Sequence, residues 1–110
     1  MTLPPFLRRR EIANLQDLAR RNYFAYLRTD WWQARRKRVY AKANHRCELC
    51  HKQGVRLEAH HTTYERVGCE RDSDMIALCD PCHEKVHYNG RAKWSRSQLL
   101  RYRRKIVNER

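Results

Sequence analysis

Cysteines and histidines between positions 47 and 87 are the residues of this chain whose types and spacing could do chemistry. Two C-x-x-C pairs frame the stretch, together with two adjacent histidines and a second pair at helical spacing. In chain order the series is Cys47, Cys50, His60, His61, Cys79, Cys82, His83 and His87. Thiolate and imidazole are the side chains that bind zinc and related ions, so the stretch predicts metal chemistry.

The four paired cysteines have the spacing of a closed structural zinc site. Each C-x-x-C pair forms one tight knuckle, and the twenty-eight residues between Cys50 and Cys79 let the chain return to complete a tetrahedron of thiolates. Two disulfides in a secreted basic protein are the alternative, but C-x-x-C pairs favour a metal in a reducing compartment. The fifth cysteine, Cys69, lies beside Gly68 in a predicted loop and is interpreted as a free thiol.

The histidines predict a second metal site of an open kind. His83 and His87 are four residues apart, so on a helix their side chains lie about 5–6 Å apart on one face. His60, at the end of a predicted strand, can close on the same ion. Three neutral imidazoles leave a position free for water or a phosphate oxygen, as a catalytic metal requires. His61 alternates to the other side of the strand and is free to act as a base.

The charge of the chain points to a polyanionic partner. Its 110 residues include 25 Lys and Arg against 12 Asp and Glu, a formal net charge of +13. Nucleic acid fits this excess better than a membrane surface, because no basic helix with a clean apolar face stands alone. We find no apolar run of 18 residues and no secretory signal layout at the N-terminus, so we expect a cytoplasmic protein of prokaryotic or phage type.

The length predicts one small domain over residues 1–110, because two independent cores would not fit. We divide it into a basic helical part (1–45), a metal-binding core (46–90) and a basic C-terminal helix (91–110). The predicted fold class is α+β, and a structural zinc would add stability that a small core lacks.

Helices are predicted on both sides of the core. Apolar residues recur with a helical period over residues 8–28, and a second helix is predicted over 31–44 with Asp30 as N-cap and Gln33 as its partner. The last helix, over 96–108, follows an S-x-x-Q capping box. The second helix carries four consecutive cations: Arg35, Arg36, Lys37 and Arg38. Their mutual repulsion favours contact with phosphate over a merely solvated face.

The core itself is predicted to be two strands followed by a helix. Residues 55–60 alternate apolar with polar side chains and residues 75–78 are a short apolar run, so both are predicted strands. The aperiodic stretch 62–73 between them is the predicted active-site loop. An Asp-Pro pair then begins a helix over about 80–89 that carries the last three metal-binding side chains.

With these residues in order, the chain resembles the HNH endonucleases, also called ββα-metal nucleases. The matching segments are CELC, LEAHHTTYERVG and DMIALCDPCHEKVH, which lie within residues 47–87. The resemblance implies a small ββα-metal core with two zinc knuckles. It also implies hydrolysis of DNA phosphodiester bonds, in which a histidine base activates water and one divalent ion stabilises the developing charge.

The resemblance also implies a role for each residue of the motif. His61 would be the general base, and His60 and His83 would bind the catalytic ion. His87 would be a third ligand or a phosphate contact. The four paired cysteines would bind the structural zinc.

The central position of the motif departs from the family. Asp74 stands just before the second predicted strand, where the family usually has Asn. An Asp there could accept a hydrogen bond from the ring of His61 and raise its basicity, and Asp72 competes for the position. Arg66 follows the paired histidines and is either a phosphate contact or an exposed structural arginine.

Several assignments stay open. The catalytic ion could be Mg²⁺, Mn²⁺, Ni²⁺ or Zn²⁺, because imidazole suits transition ions whereas Mg²⁺ prefers oxygen. We expect DNA as the partner, most readily double-stranded, with low intrinsic sequence specificity and either nicking or double-strand cleavage. A monomer, a homodimer and a complex with a protein that supplies specificity are all compatible. The alternative function is a zinc-stabilised nucleic-acid-binding module without catalysis.

Overall fold

Helices enclose a two-stranded sheet in the structure, a computed structural model that describes residues 8–109. Within these residues there are six α-helices, one 3-10 turn and two antiparallel strands, so the α+β class is confirmed. The elements are α1 (Arg9–Arg21), α2 (Tyr23–Leu27), α3 (Asp30–Lys42), β1 (Leu57–His61), the 3-10 turn (Asp72–Asp74), β2 (Met75–Cys79), α4 (Asp80–Tyr88), α5 (Arg96–Arg101) and α6 (Arg103–Asn108). The two ends of the predicted domain, residues 1–7 and 110, lie outside the described part.

The longest of the described helices, α1 and α3, have 13 residues each. A helix needs about 20 apolar residues to cross a bilayer. None of the helices between residues 8 and 109 is long and apolar enough to do so.

The first predicted helix is wrong in one respect, because the structure divides it at Asn22. This residue has φ −154° and ψ 87°, outside the helical region, and its side chain accepts a hydrogen bond from the backbone amide of Ala25. It thereby caps the N-terminus of α2. Tyr23 and Tyr26 continue the apolar stripe of α1 across the break and pack in the same core. Periodicity alone therefore could not reveal the division.

Thr29, and not Asp30, is the N-cap of α3. Its Oγ1 accepts a hydrogen bond from the amide of Trp32 at 3.2 Å, and Asp30 is the first helical residue. The side chain of Gln33 donates to the carbonyl of Leu27 at 2.8 Å instead of closing a capping box. The helix therefore begins one residue before the predicted start, and Asp30 contributes a favourable negative charge in the first turn.

Alternation along β2 divides the core into two halves. The strands pair antiparallel, with Ala59 opposite Ala77. Ile76 and Leu78 pack with the cysteines and the C-terminal helices, whereas Met75 and Ala77 pack with α2 and α3. All five residues of β2 are buried, because helices cover both faces to which its side chains point.

The ends of the core elements differ from the prediction by one or two residues. β1 starts at Leu57 instead of residue 55 and continues to His61. Asp80 is the first residue of α4 and follows Cys79, so it is an acid in the first turn and not the N-cap. Gly90 follows α4 with φ 74°, the left-handed conformation in which helices commonly end.

The C-terminal helix is also divided. Ser95 and Gln98 form the predicted capping box, in which each side chain accepts a hydrogen bond from the other residue's amide. The helix then breaks at Tyr102, with φ −104° and ψ 18°, into α5 and α6. Leu99 and Ile106 are both buried in the half of the core that contains the cysteines, so each piece keeps an anchor there.

Candidate metal centres and active site

The structure brings Cys47, Cys50, Cys79 and Cys82 into one cluster, as the spacing of the two pairs predicts. Their Sγ atoms all lie within 4.8 Å of one another, and those of Cys50 and Cys79 are 3.7 Å apart. A tetrahedral zinc with Zn–S bonds of about 2.3 Å needs sulfur atoms about 3.8 Å apart. The four cysteines can therefore hold a structural metal such as zinc.

Local backbone geometry prepares each half of the cluster. In the first knuckle the amide of His51 donates to the carbonyl of Cys47 at 2.8 Å, and the amide of Cys47 donates to Lys52 at 3.1 Å. His51 has φ 65°, a left-handed conformation that closes the turn. The second half follows from the continuity of β2 into α4, which places Cys79 at the end of the strand and Cys82 in the first turn of the helix.

Hydrogen bonds among the thiols favour one thiolate before any cation binds. The Cys82 thiol donates to Cys47, which lowers the pKa of Cys47 and raises the pKa of Cys82. Burial raises the pKa of Cys79. A bound cation would favour ionisation of Cys79 and Cys82, as expected of a closed thiolate site for zinc.

His60, His83 and His87 form a second group that can bind a metal. One ring nitrogen of each lies within 4.8 Å of the other two, and the Nε2 atoms of His83 and His87 are 2.9 Å apart. The ring centroids are 4.5 to 5.3 Å apart and the rings meet edge to face. One strand residue and two helix residues thus converge, and three of their nitrogens can share one divalent ion.

The surroundings of His60 prepare it as a neutral ligand. Its Nε2 lies 3.2 Å from the carbonyl of Ala92, which can only accept, so Nε2 carries the proton and Nδ1 keeps the lone pair. A carbonyl on the far nitrogen is typical of metal-binding histidines. Burial, followed by the neighbouring His83 and His87, lowers the pKa of His60 to about 4. Burial also lowers the pKa of His83, so both rings are held in the form that binds metal.

His61 is enclosed by aromatic rings and is not the free side chain that strand alternation predicts. It is 2% exposed, and its ring stacks between Trp32 at 4.7 Å and Tyr64 at 5.3 Å between centroids. Nε2 lies 2.9 Å from Oε2 of Glu70, and Nδ1 lies 3.1 Å from the hydroxyl of Tyr23. Both ring nitrogens therefore have protein partners.

Glu70 is the residue of this site that sequence reasoning missed. It lies in the predicted loop, nine residues after His61, and no period or motif spacing marks it. The hydroxyl of Tyr26 donates to both of its oxygens, at 2.7 and 2.8 Å, and the amide of Gly68 donates at 3.3 Å. Burial alone would raise the pKa of Glu70, but the hydrogen bonds from His61 and Tyr26 lower it by more than burial raises it. The pKa therefore lies below its ordinary value and the carboxyl is ionised.

Asp74 binds Arg66 and not His61. The prediction that Asp74 accepts a hydrogen bond from the ring of His61 is therefore wrong. Nε of Arg66 lies 2.8 Å from Oδ2 of Asp74, a second guanidinium nitrogen binds Oδ1, and the amide of Arg71 donates at 2.9 Å. The bond from Arg66 is the main cause that lowers the pKa of Asp74. Arg66, which we predicted as a phosphate contact or a structural arginine, is the structural partner of a buried acid.

Asp72 binds three cations of α3 and does not take the central motif position beside His61. Its oxygens lie 3.3 Å from Arg35, 3.3 Å from Arg38 and 2.6 Å from Lys42. These contacts, that of Lys42 first, lower the pKa of Asp72 to about 2. Arg35 and Arg38, both predicted to contact phosphate, therefore already have an anionic partner within the chain, and Arg35 is itself buried.

Arg36 and Lys37 are the other two members of the predicted run. Lys37 is exposed. Arg36 lines the pocket that holds the histidines, and its Nε is buried without a hydrogen-bond partner among residues 8–109. A buried N–H group without an acceptor is costly. Nε of Arg35 also lacks an acceptor within the described part of the chain, but Arg35 is not among the residues that line this pocket. Arg36 is therefore the member of the run that can offer the pocket an N–H group for an acceptor such as a phosphate oxygen.

One pocket of about 350 Å³ joins the histidines to Arg36. It lies between α2 and α3 on one side and β1 and α4 on the other. All four motif histidines line it: His60, His61, His83 and His87. Much of the remaining wall is aromatic and consists of Tyr23, Trp32, Tyr40 and Tyr64. The arrangement can place a metal ion, an imidazole and a guanidinium around one bound group.

No family model matches this chain, and no curated protein or solved structure matches it. The likeness to the HNH nucleases therefore stays a prediction from the motif residues.

Proposed function

We propose that the protein is a metal-dependent nuclease of the HNH type that hydrolyses phosphodiester bonds in DNA. The observation that carries this proposal is the shared pocket, because the histidine triad, His61 and Arg36 line the same space. A phosphodiester in that space meets the three groups that its hydrolysis needs, namely a cation site, a base and a phosphate contact.

The three imidazoles form the cation site. A divalent ion held there would supply positive charge beside the phosphate and would keep positions open for it. His60 presents its lone pair because Ala92 binds its far nitrogen and burial keeps the ring neutral. A ligand set made only of nitrogen favours Mn²⁺, Ni²⁺ or Zn²⁺ over Mg²⁺, which prefers oxygen.

His61 would accept the proton of the attacking water. Nε2 faces the carboxylate of Glu70 and carries the ring proton, so the lone pair of the neutral ring is at Nδ1. As the water oxygen bonds to phosphorus, its proton would move to Nδ1 and the bond from phosphorus to the leaving oxygen would break. The leaving oxygen would depart with the electron pair of that bond and take a proton from solvent. The hydroxyl of Tyr23 now lies at Nδ1, so the water has to take its place there.

Positive charge supports DNA as the substrate. The chain has a formal net charge of +13, and Arg36 and Lys37 lie on the side of α3 that is not neutralised by Asp72. Contacts of this kind bind phosphate without reading sequence, and their strength falls with salt. Low intrinsic sequence specificity is therefore part of the proposal.

One observation favours a second candidate, a zinc-stabilised nucleic-acid-binding module without catalysis. His61 is almost fully buried and both of its nitrogens are bonded, as in a structural histidine. In that case the pocket would bind a phosphate or a second metal ion and cleave nothing.

Plasmid cleavage separates the two functions. Zinc-loaded protein is incubated with supercoiled plasmid and Mg²⁺, Mn²⁺, Ni²⁺ or Zn²⁺, and we expect nicked or linear DNA with at least one ion. His61→Ala should lose cleavage by about 100-fold or more, the contribution of a general base, while it still binds DNA. Supercoiled DNA that persists with every ion, from protein that keeps its zinc and binds DNA, would instead establish the binding module.

Two further variants control for the loss of a histidine. His45→Asn removes an exposed histidine with φ 55°, a conformation that Asn tolerates, and should leave cleavage unchanged. His83→Ala removes one nitrogen of the triad and should abolish cleavage while the metal bound by the cysteines stays in place. Equal cleavage by His83→Ala and the wild type would exclude the triad as the catalytic metal site.

A further inference from the structure

Glu70 carries a negative charge where water is excluded. Its side chain is 0% exposed. His61 donates from Nε2 at 2.9 Å, Tyr26 donates to both oxygens at 2.7 and 2.8 Å, and the amide of Gly68 donates at 3.3 Å. Arg35 binds the backbone carbonyl of Glu70 at 2.8 Å and not the carboxylate. Within residues 8–109, hydrogen bonds stabilise this charge, and no arginine or lysine side chain contacts the carboxylate.

A buried carboxylate is costly, and a neutral side chain of the same size would fill this space without that cost. What the carboxylate offers is an acceptor without a proton. Opposite His61 it can only receive the ring N–H, so it selects one tautomer and fixes the orientation of the ring. A neutral amide at this position could either donate or accept and would leave the tautomer undetermined.

We propose that Glu70 is a positioning residue for His61, which holds the imidazole with its proton on Nε2 and its lone pair at Nδ1 facing the pocket. The proposal rests on the nuclease function proposed above, in which Nδ1 accepts the proton of the attacking water. Glu70 touches neither substrate nor metal in this scheme and acts through the ring of His61.

Helix α2 supports the same ring from two directions. Tyr26 is fully buried and fixes the carboxylate behind His61, while Tyr23, one helical turn earlier, has its hydroxyl at Nδ1 in front of it. Burial raises the pKa of both tyrosines, so their hydroxyls keep the protons that they donate. Helix α2, whose sequence YFAYL contains no cation, thereby belongs to the proposed active site.

Glu70→Gln tests the proposal, because the amide keeps the shape of the side chain and removes its charge. With saturating plasmid, single-turnover cleavage should fall by at least about 10-fold, the lower end of the effect of removing the hydrogen-bond partner of a metal-binding histidine, while DNA affinity is unchanged. Tyr26→Phe keeps the packing and removes only the hydroxyl that donates to the carboxylate of Glu70. Because the carboxylate itself remains, this variant should slow cleavage by a smaller factor than Glu70→Gln does.

Glu48→Gln is the matched control for the loss of a hydrogen-bonded carboxylate, and the side chain of Glu48 is 14% exposed. Glu48 binds Arg96 and the amide of Ala77 on the edge of β2 opposite β1. We expect Glu48→Gln to lower the melting temperature about as much as Glu70→Gln does, without a change in cleavage. An equal loss of cleavage in the two variants would overturn the proposal, because lost stability would then explain both.

Nitrogen-15 NMR of the imidazole gives a readout that does not depend on cleavage. In mildly alkaline buffer, His61 of the wild type should show a deshielded, slowly exchanging Nε2–H proton, and Glu70→Gln should shift it upfield. A proton on Nδ1 in the wild type, or an unchanged resonance in Glu70→Gln, would overturn the proposal. If the wild type cleaves no DNA, the nuclease function fails, and this resonance still decides whether Glu70 fixes the ring.

Discussion

Asp74 and Arg66 form a two-armed ion pair in which Nε of the arginine lies 2.8 Å from Oδ2 of the acid. Asp74 is 2% exposed and also accepts a hydrogen bond from the amide of Arg71. The pair joins the loop after β1 to the 3-10 turn before β2. Because Glu70 contacts His61 instead, Asp74, the acid at the predicted central position of the motif, has a structural role.

Asp74→Asn should therefore destabilise the protein more than it slows cleavage. The amide keeps an acceptor for Arg71 but loses the charge that pairs with Arg66, a loss of about 1–3 kcal/mol. Thermal unfolding and plasmid cleavage of one preparation measure both effects. Asp17→Asn, which removes an exposed pair with Arg21 on α1, is the control and should hardly change the melting temperature. Unchanged melting with cleavage as low as in His61→Ala would return Asp74 to the catalytic group.

Local spacing explains which parts of the site could be predicted from the sequence. Two cysteines at C-x-x-C spacing meet on one knuckle, and His83 and His87 meet on one helix face, wherever the rest of the chain goes. The structure brings both groups together as expected. The capping box at Ser95 and Gln98 is equally local and is confirmed.

Contacts between distant segments explain what could not be predicted. The partners of His61 come from α2, α3 and the loop. Nothing in the sequence next to His61 specifies that Glu70, and not Asp74, accepts the hydrogen bond from its ring. The burial of Arg35 likewise depends on the return of Asp72 to α3. The run of four cations therefore predicts a single phosphate-binding surface, although the fold uses its members in three different ways.

Cys79→Ser should release the structural metal and unfold much of the protein. Cys79 ends β2, is buried, and lies 3.7 Å from Cys50 between sulfur atoms. Structural zinc contributes an apparent 10–16 kcal/mol, roughly, to the folding of small zinc domains, so a lost thiolate should be severe. Elemental analysis and circular dichroism give the zinc content and the fold.

Cys69→Ser is the matched control for that experiment. Cys69 is a half-buried thiol outside the cluster, where it accepts a hydrogen bond from Gln16 at 3.5 Å. This variant should keep its zinc and most of its stability. Full zinc content and unchanged melting in Cys79→Ser would show that the cluster does not stabilise the fold through a metal.

The stabilising effect of Asp72 should depend on pH in one direction. Its pKa is lowered to about 2 from an ordinary value of 3.8, with the bond from Lys42 as the main cause. A carboxyl whose pKa is lowered on folding contributes stability that is fully present above the unfolded pKa and is lost as the pH falls through the folded pKa. Asp72→Asn should cost about 1 kcal/mol at neutral pH, because these ion pairs are partly exposed.

The difference in unfolding free energy between the wild type and Asp72→Asn should then shrink as the pH falls from about 4 towards 2. Denaturant unfolding of both proteins measures this difference at neutral pH and at each lower pH at which elemental analysis still finds the bound zinc, because acid protonates the thiolates and releases the metal. Equal unfolding free energies of the two proteins at neutral pH would show that the charge of Asp72 contributes nothing.

Gly68 is the point at which α1 meets the loop that carries Glu70. It has φ 103°, and a Cβ added there would lie 2.7 Å from Cγ and 2.8 Å from the backbone nitrogen of Gln16. The backbone of a helix cannot yield without moving the helix. Gly54 is a natural comparison, because it has φ 69° and an added Cβ would meet nothing within 4 Å.

Gly68→Ala should therefore destabilise the protein more than Gly54→Ala does. Both variants place a side chain in the left-handed region, at about 1–2 kcal/mol, but only Gly68→Ala adds a clash, which typically costs about 1–3 kcal/mol more. That clash also moves the amide that donates to Glu70 at 3.3 Å, so plasmid cleavage should fall in Gly68→Ala alone. Denaturant unfolding gives the two free energies, and equal values would mean that α1 does not pack against this loop in solution.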